Sequence, residues 1–247
     1  AELTELTGLV TRHRLVTVAG PGGAGKTRLA LAAAGAMAGA YPDGVWFVDA
    51  AAATGTAGLA TAVLAALGLH AAVGRAPLDV AAGDCAGRRM LLIIDTCEAD
   101  RAAAATVARR LLTACPGLTV LATGREPLGV HGEVVWRIPP LTPADAFALL
   151  GQRVEAARGG RSASADEMTD LARVASKLDG SPLAIELAAA RLRLLSGAQL
   201  AGRLDDPIAA LDAGRVPGGP DATRHDTLTG SLDWSYRTLG EHAAGLL

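Results

Sequence analysis

The sequence predicts an α/β fold, a doubly wound parallel sheet over 1–140 followed by a small helical domain over 141–215. Three observations carry that reading. Short apolar, β-branched runs alternate with alanine- and leucine-rich helical stretches, the pattern of a parallel sheet covered on both faces. Met90-Leu91-Leu92-Ile93-Ile94-Asp95 is apolar without interruption up to its final acid, as a strand buried on both faces must be. Beyond Leu141 the strand signal disappears and helical spacing takes over.

The elements follow in order. Leu3, Leu6, Leu9 and Val10 share one helical face and read as the end of a helix that begins before the sequence does. Leu15 to Ala19 is the first strand, and Lys26 to Ala38, alanine-rich and free of proline, is a helix. Tyr41-Pro42-Asp43-Gly44 is a turn, and Val45 to Val48 the second strand. A helix runs from about Thr56 to Leu67; a loose segment around Ala76-Pro77 leads into another, to about Arg88. After the Met90–Asp95 strand, Ala99 to Ala114 is helical and stops at Cys115-Pro116-Gly117. Leu118 to Ala122 is the fourth strand, ending in Thr123-Gly124-Arg125, and Val134 to Ile138 the fifth, closed by Pro139-Pro140. Pro143 stands at the first turn of a helix to about Arg158. Further helices span Ala165 to Leu178, Pro182 to Leu195 and Ala198 to Leu204. Val216-Pro217-Gly218-Gly219-Pro220 is the clearest linker, so 216–247 reads as a linker and the truncated start of a third domain.

Composition narrows the function classes. Half of the 247 residues are hydrophobic, 3% are aromatic, and the net charge is −2. The core must therefore be built from Ala, Leu and Val, and no basic surplus points to DNA binding by this segment. Cys85, Cys97 and Cys115 are too few and too dispersed for a disulfide framework or zinc site, and read as reduced thiols of a cytoplasmic protein. The five histidines are scattered, and none pairs with a cysteine or acid at metal-ligand spacing. Apolar stretches are broken by charge or glycine before reaching membrane-spanning length, and no signal peptide is visible.

The chemistry concentrates in Gly20-Pro21-Gly22-Gly23-Ala24-Gly25-Lys26-Thr27, a complete G-x-x-x-x-G-K-[ST] between a strand and a helix. Backbone N–H groups of Gly22, Gly23, Ala24 and Gly25 would form an anion nest, reinforced by the partial positive charge of the helix N-terminus. Lys26 would reach the β- and γ-phosphates of a nucleoside triphosphate, and the Thr27 hydroxyl would hold Mg²⁺. Arg28 extends the same binding stretch. Gly20, Gly22 and Gly25 also satisfy G-x-G-x-x-G, with Asp49 where a ribose-binding acid would stand; that dinucleotide reading leaves Lys26-Thr27 unexplained. Asp95, at the tip of a central strand, is placed to hold Mg²⁺ through water, or else to cap the next helix. Glu98 is a candidate to polarise an attacking water, or else a solvated first-turn glutamate. Arg125 would meet a γ-phosphate with its guanidinium fork, or else pair at the surface with Glu126 or Glu133. Leu195-Ser196-Gly197-Ala198-Gln199 looks like the signature loop of ABC-type ATPases, but follows the acidic strand instead of preceding it; Ser196 as a helix N-cap is the simpler account.

Taken together, several segments resemble the signal-transduction NTPases with numerous domains, the STAND or NB-ARC class. The likeness is greatest to the nucleotide-binding module of large bacterial transcriptional activators of the SARP-like and LuxR-like type. The segments are His13 to Val18 through Gly25-Lys26-Thr27-Arg28-Leu29-Ala30; Leu91 to Glu98; Ala122-Thr123-Gly124-Arg125-Glu126-Pro127-Leu128-Gly129; Leu178-Asp179-Gly180-Ser181-Pro182-Leu183 to Ala188; and Arg224 to Tyr236. The resemblance implies a P-loop NTPase fold, a sensor role for Arg125, and packing of Pro182 and Leu183 on adenine. It also implies that 216–247 opens a winged-helix domain. It implies an ATP/ADP switch with slow ATPase activity that governs nucleotide-dependent self-association. A DNA-binding domain would lie upstream and helical sensor repeats downstream. Thr96 stands where the family often has Asn and Ala99 where it often has His, departures that bear on hydrolysis more than on binding. An NAD-binding oxidoreductase and a non-hydrolysing nucleotide-binding scaffold are the rival expectations.

Overall fold

Among the described residues, five strands form one parallel sheet: β1 (Leu15–Ala19), β2 (Val45–Asp49), β3 (Met90–Asp95), β4 (Leu118–Gly124) and β5 (Val134–Arg137), in the order β2-β3-β4-β1-β5. In this computed structural model residues 1–71, 74–205 and 210–211 are described. The expected linker and winged-helix start at 216–247 lie outside them. The described residues divide into two compact units, one of Ala1–Gly20 with Lys26–Ile138, the other of Pro21–Gly25 with those from Pro139 onward.

The sheet unit is doubly wound. Strands β3 and β4 are buried along their whole length, which explains their uninterrupted apolar sequence. Alternation sorts their side chains between two cores. Val16, Val18, Leu91, Ile93 and Leu121 face α1 (Glu2–Arg12) and α2 (Lys26–Met37). Leu15, Met90, Leu92, Ile94, Leu118 and Val120 face α3 (Gly55–Ala66), α4 (Pro77–Cys85) and α5 (Arg101–Ala114). The edge strands β2 and β5 are half-exposed.

Several boundaries differ from expectation. Strand β4 runs two residues further, through Gly124, because its last residues still pair with β1: Ala19 lies opposite Gly124, whose carbonyl also accepts the Gly20 N–H. Helix α5 starts at Arg101 instead of Ala99, since Asp100 caps it by accepting the Ala103 N–H, and Cys97–Ala99 is a separate 3-10 turn. Helix α8 (Pro182–Arg191) stops short of Leu195.

The second unit is helical: α6 (Pro143–Ala157), α7 (Ala165–Ser176), α8 and α9 (Gly197–Arg203) enclose Leu150, Val154, Leu171, Val174, Ile185, Ala188 and Leu200. Among the described residues no helix is long and apolar enough to cross a membrane.

Candidate functional site

The C-terminal ends of β1, β3 and β4 bring together two cations, three hydroxyls and two carboxylates in the sheet unit. Lys26 opens α2, is 8% exposed, and donates from Nζ to the Gly20 carbonyl at 2.9 Å. One residue on, the Thr27 hydroxyl lies against both oxygens of Asp95, at 2.8 and 3.0 Å. Asp95 is the last residue of β3 and only 5% exposed. A carboxylate so far out of water needs donors. Two further threonines supply them: the Thr96 hydroxyl at 3.2 Å, and the Thr123 hydroxyl from the end of β4. The Thr123 oxygen also accepts the Thr96 N–H at 3.1 Å. That bond supports an unusual backbone, because Thr96 has φ 60°, a left-handed conformation that a β-branched residue rarely adopts. Asp95 therefore does not cap α5; Asp100 does.

Glu98, in the 3-10 turn, is not a solvated first-turn glutamate. Its side chain is 12% exposed and its Oε1 lies 3.8 Å from Nε of Arg125, itself 14% exposed. The alternative partners proposed for Arg125 are engaged elsewhere. Glu126 pairs with Arg101 at 3.9 Å, and the Glu133 carboxylate accepts the N–H groups of Leu128 and Gly129 at 2.8 and 2.7 Å. Arg125 is thus a half-buried arginine held to the tip of β3, not a surface one. Arg28 lies on the exposed side of α2. Asp49, on edge strand β2, accepts the Ala51 N–H at 2.9 Å and caps the turn Ala50–Ala52.

The remaining predicted residues belong to the helical unit. Gly23 and Gly25 take φ 73° and 89°, so the loop around Ala24 follows a path that side chains resist. Gly23 is also against Leu183: its carbonyl accepts the Leu183 N–H at 3.3 Å, and a Cβ there would stand 2.5 Å from the Leu183 Cβ. Pro182 is the first residue of α8, which Ser181 caps through the Ala184 N–H.

Sequence reading missed Thr123 and the role of Thr96. The signal was present, as two threonines beside two already suspected residues, but nothing local shows that their hydroxyls meet one carboxylate. The three thiols are buried and free. Burial, then the Glu98 charge, pushes Cys97 far above the ordinary thiol range, and burial raises Cys85 to about 11, so neither supplies a thiolate nucleophile. Among the described residues no group of three or more His, Cys, Asp or Glu could hold a metal. The oxygens of Thr27 and Asp95 do suit Mg²⁺, which takes one or two carboxylates and completes its shell with phosphate and water.

No family model matches the chain. It is 41% identical over 234 residues to a Mycobacterium tuberculosis protein called "Putative HTH-type transcriptional regulator", covering 94% of this chain and 26% of the relative. It is 37% identical over 248 residues to an uncharacterized protein of Mycobacterium bovis, covering all of this chain and 62% of the relative. The chain thus spans about a quarter of the first relative and less than two thirds of the second. Among solved structures, the Aeropyrum pernix ORC2 protein in its ADPNP–ADP complexes superposes with a TM-score of 0.56 at 14% identity, covering 83% of this chain and 67% of that one. The fold is that of the P-loop ATPases.

Proposed function

We propose that this chain is an adenine-nucleotide-binding switch module with slow ATPase activity, serving a larger transcriptional regulator. The observation that carries the reading is the Thr27–Asp95 contact beside the buried Lys26. A phosphate-loop threonine and a strand-tip carboxylate already meet, next to the lysine that would neutralise phosphate charge. The relatives' name supports the regulatory setting, and the ORC2 likeness supports an ATPase fold.

In this reading the N–H groups of Gly22, Gly23, Ala24 and Gly25 hold the phosphates, with Lys26 on the β and γ groups and Arg28 at the rim. Thr27 and Asp95 would hold Mg²⁺, which when bound would offset phosphate charge. Arg125 responds to the γ-phosphate, and Pro182 and Leu183 pack on adenine. Glu98 is the candidate to orient water. Residues 1–140 would form the nucleotide domain and 141–215 the helical domain. The whole regulator would be cytoplasmic, with a DNA-binding domain, helical repeats and nucleotide-dependent self-association.

Calorimetric titration of ATP, ADP and NAD with Mg²⁺ tests the reading. Wild type should bind ATP and ADP, and Lys26→Ala should lose a charge-assisted contact of about 1.5–3 kcal/mol while keeping its fold. Unchanged affinity in that variant, or preference for NAD, would overturn it.

A further inference from the structure

Cys85 and Cys115 are distant in sequence, and the sheet unit brings them together. Cys85 is the last residue of α4, Cys115 is the C-cap of α5, and the two helices pack on the same core. The Cys115 thiol donates to the Ala82 carbonyl at 3.4 Å. Cys85 lies one turn beyond Ala82 on that helix, and its thiol donates in turn to the Cys115 sulfur. Both cysteines are buried, 1% and 0% exposed. The cover above them is thin. Ala82, Ala86 and Ala114, close to them in the chain, line a surface cavity of about 580 Å³, within the size range of small-molecule pockets. Arg75, Asp79 and Arg110 line it too. Asp79 is paired with Arg110 at 2.9 Å, so Arg75 supplies the cavity's net positive charge.

We infer that Cys85 and Cys115 form a reversible disulfide, made by exchange with a small anionic disulfide that enters through this cavity. The surrounding charges set the order of the two steps. Burial raises the Cys115 thiol above its ordinary range, but Arg14, the Cys85 thiol and Arg110 oppose that rise. Cys85 is pushed up to about 11, first by burial and then by the Cys115 charge. Cys115 is therefore the first to react. Its sulfur attacks one sulfur of the reagent RS–SR, the S–S bond breaks, and the departing RS⁻ takes up the Cys115 proton. Once bonded, the Cys115 sulfur no longer carries the charge that helped to hold the Cys85 proton. Cys85 closes on it, and the second RS⁻ leaves with the Cys85 proton. Two protein thiols and one RS–SR thus become one protein disulfide and two RSH. A disulfide sets its sulfurs about 2.05 Å apart, so thiols already hydrogen-bonded have little further to move. Both cysteines stand at helix ends, the parts of a helix that open at least cost. The bridge ties α4 to α5 around β3, the strand between them in the chain.

The experiment incubates the reduced chain, freed of reductant, with oxidised glutathione, an anionic disulfide, or with cystamine, a cationic one. Intact mass and peptide mapping give the product. With oxidised glutathione the native chain should lose two hydrogens, map to a Cys85–Cys115 cross-link and leave Cys97 a thiol, and dithiothreitol should reverse the change. Cys85→Ser should trap glutathione on Cys115, whereas Cys115→Ser should leave Cys85 unmodified. Arg75→Glu should slow the reaction with oxidised glutathione severalfold more than that with cystamine. A cross-link that forms only in urea, or one that takes in Cys97 as readily, overturns the inference. An unchanged preference between the two reagents in Arg75→Glu overturns the cavity as the route and the anion as the class. Mapping on wild type needs no variant, so the pairing is decided even where a serine variant does not fold.

Discussion

The two units use hydroxyl groups in opposite ways. In the helical unit, Thr142, Ser164, Ser181 and Ser196 each accept the N–H three residues ahead and cap α6, α7, α8 and α9. Both partners lie within one turn of chain, so the interaction forms wherever the helix does. In the sheet unit, α1, α3 and α4 begin without a side-chain cap, and the telling hydroxyls reach far. Thr27 and Thr123 meet Asp95 from 68 and 28 residues away. Such bonds exist only after β1, β3 and β4 are in register. The helical unit thus takes much of its order from local chemistry, and the site from assembly of the sheet.

The largest expected effect challenges that contrast, because it is a long-range demand inside the helical unit. Gly180 has φ 66°, its carbonyl accepts the Leu141 N–H at 3.0 Å, and a Cβ there would collide with the Leu141 carbonyl. Gly180→Ala should cost about 3 kcal/mol, read as loss of hydrogen-exchange protection across α6 to α9. Protection left intact would mean that the backbone there yields easily.

Thr123→Val comes next. It keeps the shape but removes the donor to Asp95 and the acceptor for the buried Thr96 N–H. A loss of about 1–3 kcal/mol is expected, followed by the emission of Trp46 and Trp136 in urea with Trp234 replaced by Phe. A neutral result would reduce the three-hydroxyl cluster to coincidence.

Capping should matter less at any one position. Ser196→Ala removes one half of a capping box with Gln199 and should cost about 1 kcal/mol. The equivalent loss at α1 or α3 cannot occur, as neither has a cap to lose, so alanine substitution of Thr54 should be near neutral.

The smallest effect is one of pH. Hydrogen bonding to the Ser164 N–H, more than the charge of Arg158, lowers the Glu167 carboxyl below its ordinary value of 4.5. Because the folded value is the lower one, the contribution is present above about pH 4.5 and fades as pH falls through the folded value. The stability gap between wild type and Glu167→Gln should therefore be open at neutral pH and close in acid. A gap that widened in acid would reverse the assigned direction.

The sequence by itself determined what depends on neighbours along the chain. The alternation of apolar runs and helical stretches determined the fold class; Met90–Asp95, apolar throughout, became a strand buried on both faces; and Ser196 caps α9 as its spacing suggested. The glycine–lysine–threonine stretch was equally legible, because its chemistry is written in eight consecutive residues. Only the tertiary structure decided what depends on register and burial. It extended β4 through Gly124 by pairing it with β1, enclosed Thr123 and Thr96 with Asp95, and matched Arg125 with Glu98 in place of the nearer Glu126. The reason is physical. A cap or a turn is selected by energies among residues a few positions apart. The partner of a buried charge is selected by whichever donors the folded sheet leaves beside it once water is gone.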